Sequence, residues 1–329
     1  MKINSDLLLA LQEGINIESN PFATLGERLG LTTQEIISHL KFVLTDGIAR
    51  RFGAVFDSAK LGYHSTLCAV DLPDDLVDEI TAQLIPHLGI THCYERKGHP
   101  NIWFTLTTPA NNLTSEIEKL QKLMPNRPII NLPASQRFKI ATIFDLKTGK
   151  SSVTETLSLN TDSTATPDIL QASNTDKAIV RALQKTIPLE THPFATVAKT
   201  LEMEEAPLLT KLLDWKARGI IRRIGLILKH RQAGFSANGM CVWNVDPQSI
   251  TAHGIALAKC PEVTHCYHRP LHQQVPFNLY AMIHADTLDS AHSMLEQISE
   301  RANLPIGKML VSTREFKKSS PAFFLEPSA

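Results

Sequence analysis

The sequence predicts an α+β protein built by tandem duplication, in which each half is a helix-turn-helix domain followed by a domain with an antiparallel sheet. Three observations support this fold class. The 329 residues are about twice the usual length of a compact domain. NPFATL at 20–25 returns as HPFATV at 192–197, and GIARRFGAV at 47–55 returns as GIIRRIGLI at 219–227, at the same displacement. In each half, helical periodicity is followed by alternation with a period of two.

Each half begins with three predicted helices. In the first half, Ser5 is the expected N-cap of helix one, and helix two covers 22–29. Helix three starts at Thr32 or Thr33 and stops at Gly47. Two short helices joined by a tight turn are typical of a winged-helix-like helix-turn-helix domain.

The rest of each half reads as strands and amphipathic helices in the order ββαββαβ. Such patterns are buried most simply by a ferredoxin-like βαββαβ domain, an antiparallel sheet with helices on one face. The second half follows the same order from Ile221 to Lys317. In the first half the predicted strands are 49–56, 65–72, 91–98, 101–108 and 127–139, and the predicted helices are 74–88 and 113–124.

The segment between the halves is rich in Ser, Thr and Asp and has no aromatic residue, which predicts a linker. A short edge strand at 153–159 is the alternative. The predicted domains are 1–48 and 176–220 for the helix-turn-helix units, 49–146 and 221–329 for the ferredoxin-like units, and 147–175 for the linker.

Charge and cysteine content exclude several classes of protein. Lys plus Arg and Asp plus Glu both total 33, so the chain as a whole has no cationic field for nucleic acid or membrane. Five cysteines without a CxxC pair argue against a disulfide framework and a zinc site. The N-terminus has no signal-peptide pattern and no apolar run is long enough to span a bilayer, so we expect a cytoplasmic protein.

Specific motifs then identify a family. A helix-turn-helix that continues through GI(A/I)RR(F/I)G into a ferredoxin-like domain resembles the AsnC/Lrp regulator superfamily. Within it, the chain resembles the siroheme decarboxylases, and two units in one chain resemble the fused form of haem d1 biosynthesis. The motifs that carry this resemblance are RRIGLILKHRQAGFSANGMCVW (222–243), THCYHRP (264–270), PFNLYAMIHA (276–285) and REFKK (314–318).

The resemblance implies a carboxy-lyase that removes the acetate carboxyl groups on carbons 12 and 18 of siroheme without redox change, giving 12,18-didecarboxysiroheme. It implies no cofactor, because the iron belongs to the substrate. Two alternatives stay open: an AsnC/Lrp-type ligand-responsive transcription regulator, and a tetrapyrrole carrier without catalysis.

The helix-turn-helix units argue against DNA binding. A recognition helix needs basic or amide side chains near its N-terminus to reach phosphates and base edges. The second unit instead places Glu202, Glu204, Glu205 and Pro207 there, and the first offers a single Lys. We therefore expect these units to have a structural role.

Siroheme is a flat apolar macrocycle with eight carboxylates around an iron, so its site needs an apolar slot, several cations and an imidazole. His265, Tyr267 and Arg269 alternate along one predicted strand and should share a face. The first half repeats this pattern with His92, Tyr94 and Arg96. We predict His265, His284 and Tyr267 as catalytic, because a proton donor is required and His284 ends the neighbouring strand of the hairpin.

The remaining predicted residues bind substrate. Arg222 and Arg223 are consecutive in a strand, so at most one of them should face the pocket. The substrate iron is expected to be held by His230 or His265, and no metal site is predicted in the protein itself. The substrate-binding set is Arg222, Arg223, His230, Arg231, Arg269, Arg51, His92, Tyr94, Arg96 and Lys317.

The halves are not equivalent. The first half has Thr107 where the second has His284, and it lacks counterparts of His230 and Arg231. We therefore expect an internal pseudo-dimer with siroheme as its small-molecule partner, in which the second half carries the main site and the first completes it. Whether the chain also forms a homodimer, or needs a second decarboxylase subunit, stays open.

Overall fold

The computed structural model describes residues 4–140, 143–144, 151–152, 168–228 and 237–325. Both helix-turn-helix units are present, which confirms the duplicated fold class. Asn4, and not Ser5, caps the first helix: its Oδ1 accepts a hydrogen bond from the Leu7 amide at 3.0 Å. Thr32 caps the third helix in a reciprocal pair with Glu35. The helices are α1 (Ser5–Glu13), α2 (Pro21–Leu29) and α3 (Thr33–Thr45) in the first unit, and α6 (Asn174–Leu183), α7 (Pro193–Thr200) and α8 (Glu205–Ala217) in the second.

The two helix-turn-helix units share one hydrophobic core rather than forming separate domains. Phe22 of the first unit and Phe194 and Trp215 of the second are completely or almost completely buried in it. Two strands, β1 (Ala49–Phe56) and β9 (Ile221–Leu228), complete this core and pair antiparallel with each other. Prediction had assigned both strands to the ferredoxin-like sheets, which was wrong.

Glycine permits this ribbon of β1 and β9. Gly53 and Gly225 face each other in register. A Cβ at Gly53 would lie 2.1 Å from the Lys185 carbonyl oxygen, and one at Gly225 would lie 2.6 Å from that of Leu11. Backbone from the helical core therefore packs directly on the ribbon, which holds it to the helices and away from the larger sheet.

Each ferredoxin-like unit accordingly has the order βαββαβ, with the last strand of the first unit divided in two. Within the described residues, the strands of the two units, nine in all, form one antiparallel sheet. The helices of each unit pack on the outer face of this sheet and form one apolar cluster in each half. A further apolar cluster, including Trp103 and Tyr280, contains residues of both halves. The first unit comprises β2 (Tyr63–Val70), α4 (Asp74–Leu84), β3 (Ile90–Arg96), β4 (Ile102–Pro109), α5 (Leu113–Gln121), β5 (Ile130–Pro133) and β6 (Gln136–Ile140), followed by a small pair, β7 (Ile143–Phe144) and β8 (Ser151–Ser152). The second comprises β10 (Ala237–Trp243), α9 (Ile250–Lys259), β11 (Val263–His268), β12 (Leu279–Ala285), α10 (Leu288–Arg301) and β13 (Lys308–Lys318). The order of the strands across the sheet is β5-β2-β4-β3-β13-β10-β12-β11-β6.

The halves exchange their last strands. The strand predicted at 127–139 is divided: β5 pairs with β2 of its own half, whereas β6 crosses to β11 of the second half. In return, β13 pairs with β10 through 308–311 and with β3 of the first half through 312–318. Two features mark the division between β5 and β6. Pro133 has no amide hydrogen for the ladder, and the Ser135 amide donates to the His268 carbonyl of the second half at 2.9 Å.

This exchange should be visible in the stability of the protein. Phe138 of β6 is buried in the core of the second half, where its ring fills the space beside Gly254. Phe138→Ala should lower the free energy of unfolding by about 3–5 kcal/mol, because it leaves a cavity in that core. The measurement is urea denaturation.

The matched control is Phe316, its counterpart on β13, which is only half-buried against the first half. Phe316→Ala should cost clearly less. An equal loss in both variants would contradict the asymmetric burial.

The linker end nearest the second half is anchored. Arg218 donates to both carboxylate oxygens of Asp168 at 2.8 Å, and the Leu170 amide donates to the Lys60 carbonyl at 2.8 Å. The alternative strand at 153–159 lies outside the described residues. Among the helices that the structure describes, none has the length and apolar character needed to cross a bilayer.

Candidate active site

A cavity of about 460 Å³ lies between the β1–β9 ribbon and the inner faces of the two ferredoxin-like units. Strands β3 and β4 of the first half and β11 and β12 of the second contribute to its lining, as does the segment 319–323 after β13. The expected interface between halves is therefore one shared cavity.

Two matched rows of side chains stand in this cavity. In the second half the rings of His265 and Tyr267 lie 6.2 Å apart at 27°, and the Arg269 guanidinium lies 4.9 Å from the Tyr267 ring centre. In the first half the His92 and Tyr94 rings lie 6.3 Å apart, also at 27°, with the Arg96 guanidinium 5.4 Å from Tyr94. Alternation along a strand had placed each row on one face, and all six side chains line the cavity.

A threonine orients each of the two matched histidines. Nδ1 of His92 lies 3.0 Å from the Thr91 hydroxyl, and Nδ1 of His265 lies 3.2 Å from that of Thr264. Each threonine occupies a register shift in its strand, between Ile90 and His92 in one case and Val263 and His265 in the other. This contact uses one ring nitrogen, so Nε2 is the nitrogen offered to a ligand.

Both arginines of each RR pair line the cavity, which corrects the expectation that at most one would. The reason is a register shift at each end of the ribbon. Arg50 is skipped where Ala49 pairs with Leu228 and Arg51 with Ile227. Arg222 is skipped in the equivalent way between Ile221 and Arg223. A bulge breaks strict alternation, so consecutive side chains reach the same side.

The cavity is strongly cationic. No acidic side chain occurs among its described lining residues. Nε of Arg51, Arg96, Arg222 and Arg269 is buried there without a hydrogen-bond partner in the described part of the chain. Buried donors of this kind fit an anionic ligand that completes their bonding. The eight cations of the lining are Arg50, Arg51, Arg96, Arg137, Arg222, Arg223, Arg269 and Lys318.

The arginines are held in place mainly by backbone carbonyls. Arg51 donates to the Ala54 carbonyl at 2.9 Å, Arg96 donates to that of Leu310 at 2.7 Å, and Arg269 donates to that of Leu132. Arg222 instead donates to the Asp57 carboxylate at 2.7 Å. Burial, with Arg223 and Arg50 nearby, lowers the pKa of Arg51 to about 10. Its guanidinium therefore remains charged at neutral pH.

Three imidazoles in the lining are neutral at that pH. Burial lowers the pKa of His92 and His284 to about 3 and that of His265 to about 4. Lys318 contributes to all three shifts, and one arginine of the lining adds to each: Arg50 for His92, Arg222 for His265 and Arg96 for His284. Burial also raises the pKa of Tyr267, so its hydroxyl keeps its proton.

These low pKa values predict a loss of stability in mild acid. The unfolded chain takes up a proton at each histidine near pH 6.5, whereas the folded chain does so only near pH 3–4. The free energy of unfolding should therefore fall below pH 6.5 by about 1.4 kcal/mol per pH unit for each histidine. His284→Gln should reduce that slope by one such contribution, measured by urea denaturation between pH 6.5 and 5. Identical slopes for the variant and the parent would contradict a neutral buried His284.

The structure brings together ten of the predicted side chains in one cavity. It does not bring Lys317, whose Nζ donates to the Ile85 and His87 carbonyls at 2.6 and 3.0 Å, near the end of α4. Lys318 lines the cavity in its place. His230 and Arg231 lie outside the described residues. The ten are His265, His284, Tyr267, Arg222, Arg223, Arg269, Arg51, His92, Tyr94 and Arg96.

Sequence reasoning missed three charged residues of the lining, Arg50, Arg137 and Lys318, and also Asp57, which lies outside the lining and accepts a hydrogen bond from Arg222. Arg50 had a local signal, since it repeats in the RR pair of both halves. The placement of Arg137 and Lys318 in the lining had no local signal, because it depends on strands exchanged between halves. Within the described residues, no group of three or more His, Cys, Asp and Glu side chains is arranged to hold a metal ion.

Comparisons with known proteins agree with this arrangement. Residues 4–50 and 176–222 match the family described as the siroheme decarboxylase NirDL-like HTH domain. Residues 60–139 and 232–317 match the AsnC-like ligand binding domain. The siroheme decarboxylase of Hydrogenobacter thermophilus is 34% identical over 325 residues, which cover 97% of this chain and 94% of the relative. The siroheme decarboxylase alpha subunit of Desulfovibrio desulfuricans is 41% identical over 142 residues, which cover 43% of this chain and 82% of that subunit.

Solved structures show the same similarity over the full length. The crystal structure of the siroheme decarboxylase NirDL superposes with a TM-score of 0.75 at 28% identity, covering 98% of this chain and 94% of the other. The same enzyme in complex with an iron-uroporphyrin III analogue superposes with a TM-score of 0.71 at 28% identity, covering 96% and 93%. The fused arrangement of two units is therefore shared with these proteins.

Proposed function

This chain belongs to the siroheme decarboxylase family, and from that premise we propose that it removes the acetate carboxyl groups on carbons 12 and 18 of siroheme. The product is 12,18-didecarboxysiroheme, used in haem d1 or alternative haem biosynthesis. The observation that carries the proposal is the cavity lining, which in the described residues combines eight cations and three neutral imidazoles with no carboxylate.

The cations match the substrate. Siroheme carries eight carboxylates at its rim, and an arginine binds a carboxylate through paired hydrogen bonds. The buried Nε groups of Arg51, Arg96 and Arg269 can each donate a hydrogen bond to a substrate carboxylate without breaking an ion pair. Apolar side chains on the same cavity, among them Trp103, Met240 and Met282, suit the face of the macrocycle.

The reaction needs a proton and no oxidant. A ring carbon of the pyrrole accepts a proton, the bond between the acetate methylene and its carboxylate breaks, and CO₂ leaves with the electron pair going to the ring. A second proton makes the methyl group and the ring proton is lost, so one proton is consumed for each CO₂. The enzyme is then a carboxy-lyase that uses no cofactor of its own.

Histidine supplies that proton. The imidazoles are neutral in the empty cavity because burial and neighbouring cations disfavour a further positive charge. A bound polycarboxylate reverses this effect, because its negative charges favour the imidazolium. His265, His284 and Tyr267 are the proposed catalytic residues, and Nε2 of His265 faces the macrocycle either as proton donor or as ligand of the substrate iron. The visible and paramagnetic-resonance spectra of bound siroheme in His265→Ala distinguish the two, since only loss of an iron ligand changes them.

The helix-turn-helix units have a structural role in this proposal. They carry the β1–β9 ribbon and thereby place four arginines over the cavity. The second unit also begins α8 with Glu204 and Glu205, which would repel phosphates. We accordingly propose that these units do not bind DNA.

The decisive experiment is anaerobic incubation of the purified chain with siroheme, followed by mass spectrometry of the tetrapyrrole. Loss of two CO₂ is the expected result, and loss of one would show that a second subunit is needed. Siroheme that is bound but unchanged would favour a carrier. Absence of binding would return the transcription regulator to consideration.

A further inference from the structure

The cavity has an approximate two-fold symmetry, and the two exchanged strands pair with the opposite half in the same register. On β13, Lys317 pairs with Cys93 and Lys318 pairs with His92. On β6, Lys139 pairs with Cys266 and Ile140 pairs with His265. Both strands end in the same way, each laying its last residue beside the matched histidine of the opposite half.

The next-to-last residue of each exchanged strand, Lys139 on β6 and Lys317 on β13, keeps the symmetry. Lys139 donates to the Cys260 carbonyl at 2.7 Å, just as Lys317 donates to carbonyls near the end of α4. Both ammonium groups therefore bind backbone next to the helix of the opposite half, away from the cavity.

The last residue of each exchanged strand, Ile140 on β6 and Lys318 on β13, breaks the symmetry. Lys318 and Ile140 both line the cavity, so a lysine stands beside His92 where an isoleucine stands beside His265. Residues directly opposite on antiparallel strands have Cβ atoms about 5 Å apart on one face. Arg137 also differs from its counterpart Glu315, but these residues pair with Tyr267 and Tyr94, one step away from the imidazoles.

The substrate has a matching near-symmetry. Its acetates on carbons 12 and 18 belong to neighbouring rings and exchange places when the flat macrocycle is turned over about the axis between those rings. A symmetric cavity would accept both orientations, and a mixture of first products would follow. A charged group beside one matched histidine, with an apolar group beside the other, separates the two orientations in energy.

We propose that Lys318 determines which way round siroheme lies, by holding one rim carboxylate at the His92 end, and so decides which acetate is removed first. This inference rests on the proposed function. It makes Lys318 a specificity-determining residue and leaves the proton transfer to the histidines. Lys318 contributes to the low pKa of His92, His265 and His284, which agrees with an ammonium that lies within electrostatic reach of all three.

The test is the ratio of the two monodecarboxylated isomers at low conversion, quenched anaerobically, separated by chromatography and identified by nuclear magnetic resonance. One charge-assisted hydrogen bond corresponds to a preference of about ten-fold or more for one isomer in the parent protein. Lys318→Ile, which places a hydrocarbon beside both matched histidines, should bring the ratio closer to equality. The exchanged variant Ile140→Lys/Lys318→Ile should reverse it.

Lys317→Ile is the matched control, because it removes the neighbouring ammonium outside the cavity, and its isomer ratio should be that of the parent. An unchanged ratio in Lys318→Ile, or an equal mixture from the parent, would overturn the inference while leaving the decarboxylase intact. Loss of product in both Lys318 variants with retained binding of iron-uroporphyrin would also overturn it, by assigning Lys318 to the chemistry. If the parent protein releases no CO₂, the proposed function itself is wrong, and this outcome is distinct from a failure of the inference about Lys318.

Discussion

His265→Ala is expected to lower the rate of CO₂ release from siroheme by at least about 100-fold, the usual contribution of a positioned general acid. The side chain lies in the cavity beside Tyr267, its Nδ1 contacts the Thr264 hydroxyl, and its charge state is coupled to that of His284. His92→Ala should cost less, because Thr107 is the counterpart of His284 and the first half therefore has no second imidazole at that position. The measurement is single-turnover CO₂ release under anaerobic conditions.

The control for this pair is His292→Ala on α10, an exposed histidine whose Nδ1 lies 2.8 Å from the Leu288 carbonyl oxygen. It should be indistinguishable from the parent. Binding of iron-uroporphyrin should stay within a few-fold in His265→Ala if the residue acts on the proton. Equal losses of rate in His265→Ala and His92→Ala would contradict a main site in the second half.

Arg51→Met should weaken the binding of iron-uroporphyrin by about 10- to 100-fold, the effect of one charge-assisted hydrogen bond of about 1.5–3 kcal/mol. The same variant should not destabilise the empty protein. Burial and the neighbouring Arg223 and Arg50 already disfavour the charged form of Arg51, as its pKa of about 10 indicates. Replacing a buried cation by an apolar side chain of similar length removes that repulsion, at the expense of the bond to Ala54.

Titration of the analogue by its Soret absorbance and urea denaturation without ligand are the two measurements. Arg127→Met, at an exposed position, is the matched control and should alter neither. A variant that loses stability and binding together would show that Arg51 supports the fold instead of the substrate.

Opposite effects on binding and stability are what a preorganised anion site should show. The arginines are held by single carbonyls of Ala54, Leu310 and Leu132, and their repulsion is present before the ligand arrives. A polycarboxylate relieves that repulsion on binding. The helix-turn-helix units contribute to this site by supplying the ribbon, so the duplication has turned two such units into one wall of a cavity.

The sequence correctly predicted the features that depend on residues close together along the chain or on its internal repeat. The duplication, the cap at Thr32, and the shared faces of His265, Tyr267 and Arg269 all follow from spacing along one helix or one strand. The family resemblance added the substrate, because its motifs include the histidines and arginines that line the cavity.

Tertiary structure alone decided the rest. Bulges at Arg50 and Arg222 turn consecutive arginines to one side, and a bulge depends on pairing between strands far apart in sequence. Lys318 and Ile140 reach the cavity because the last strands cross between the halves, a choice among competing strand partners that no local pattern encodes. Sequence by itself therefore determined the candidate histidines and most of the candidate arginines, and long-range strand pairing determined which charged side chains share one cavity.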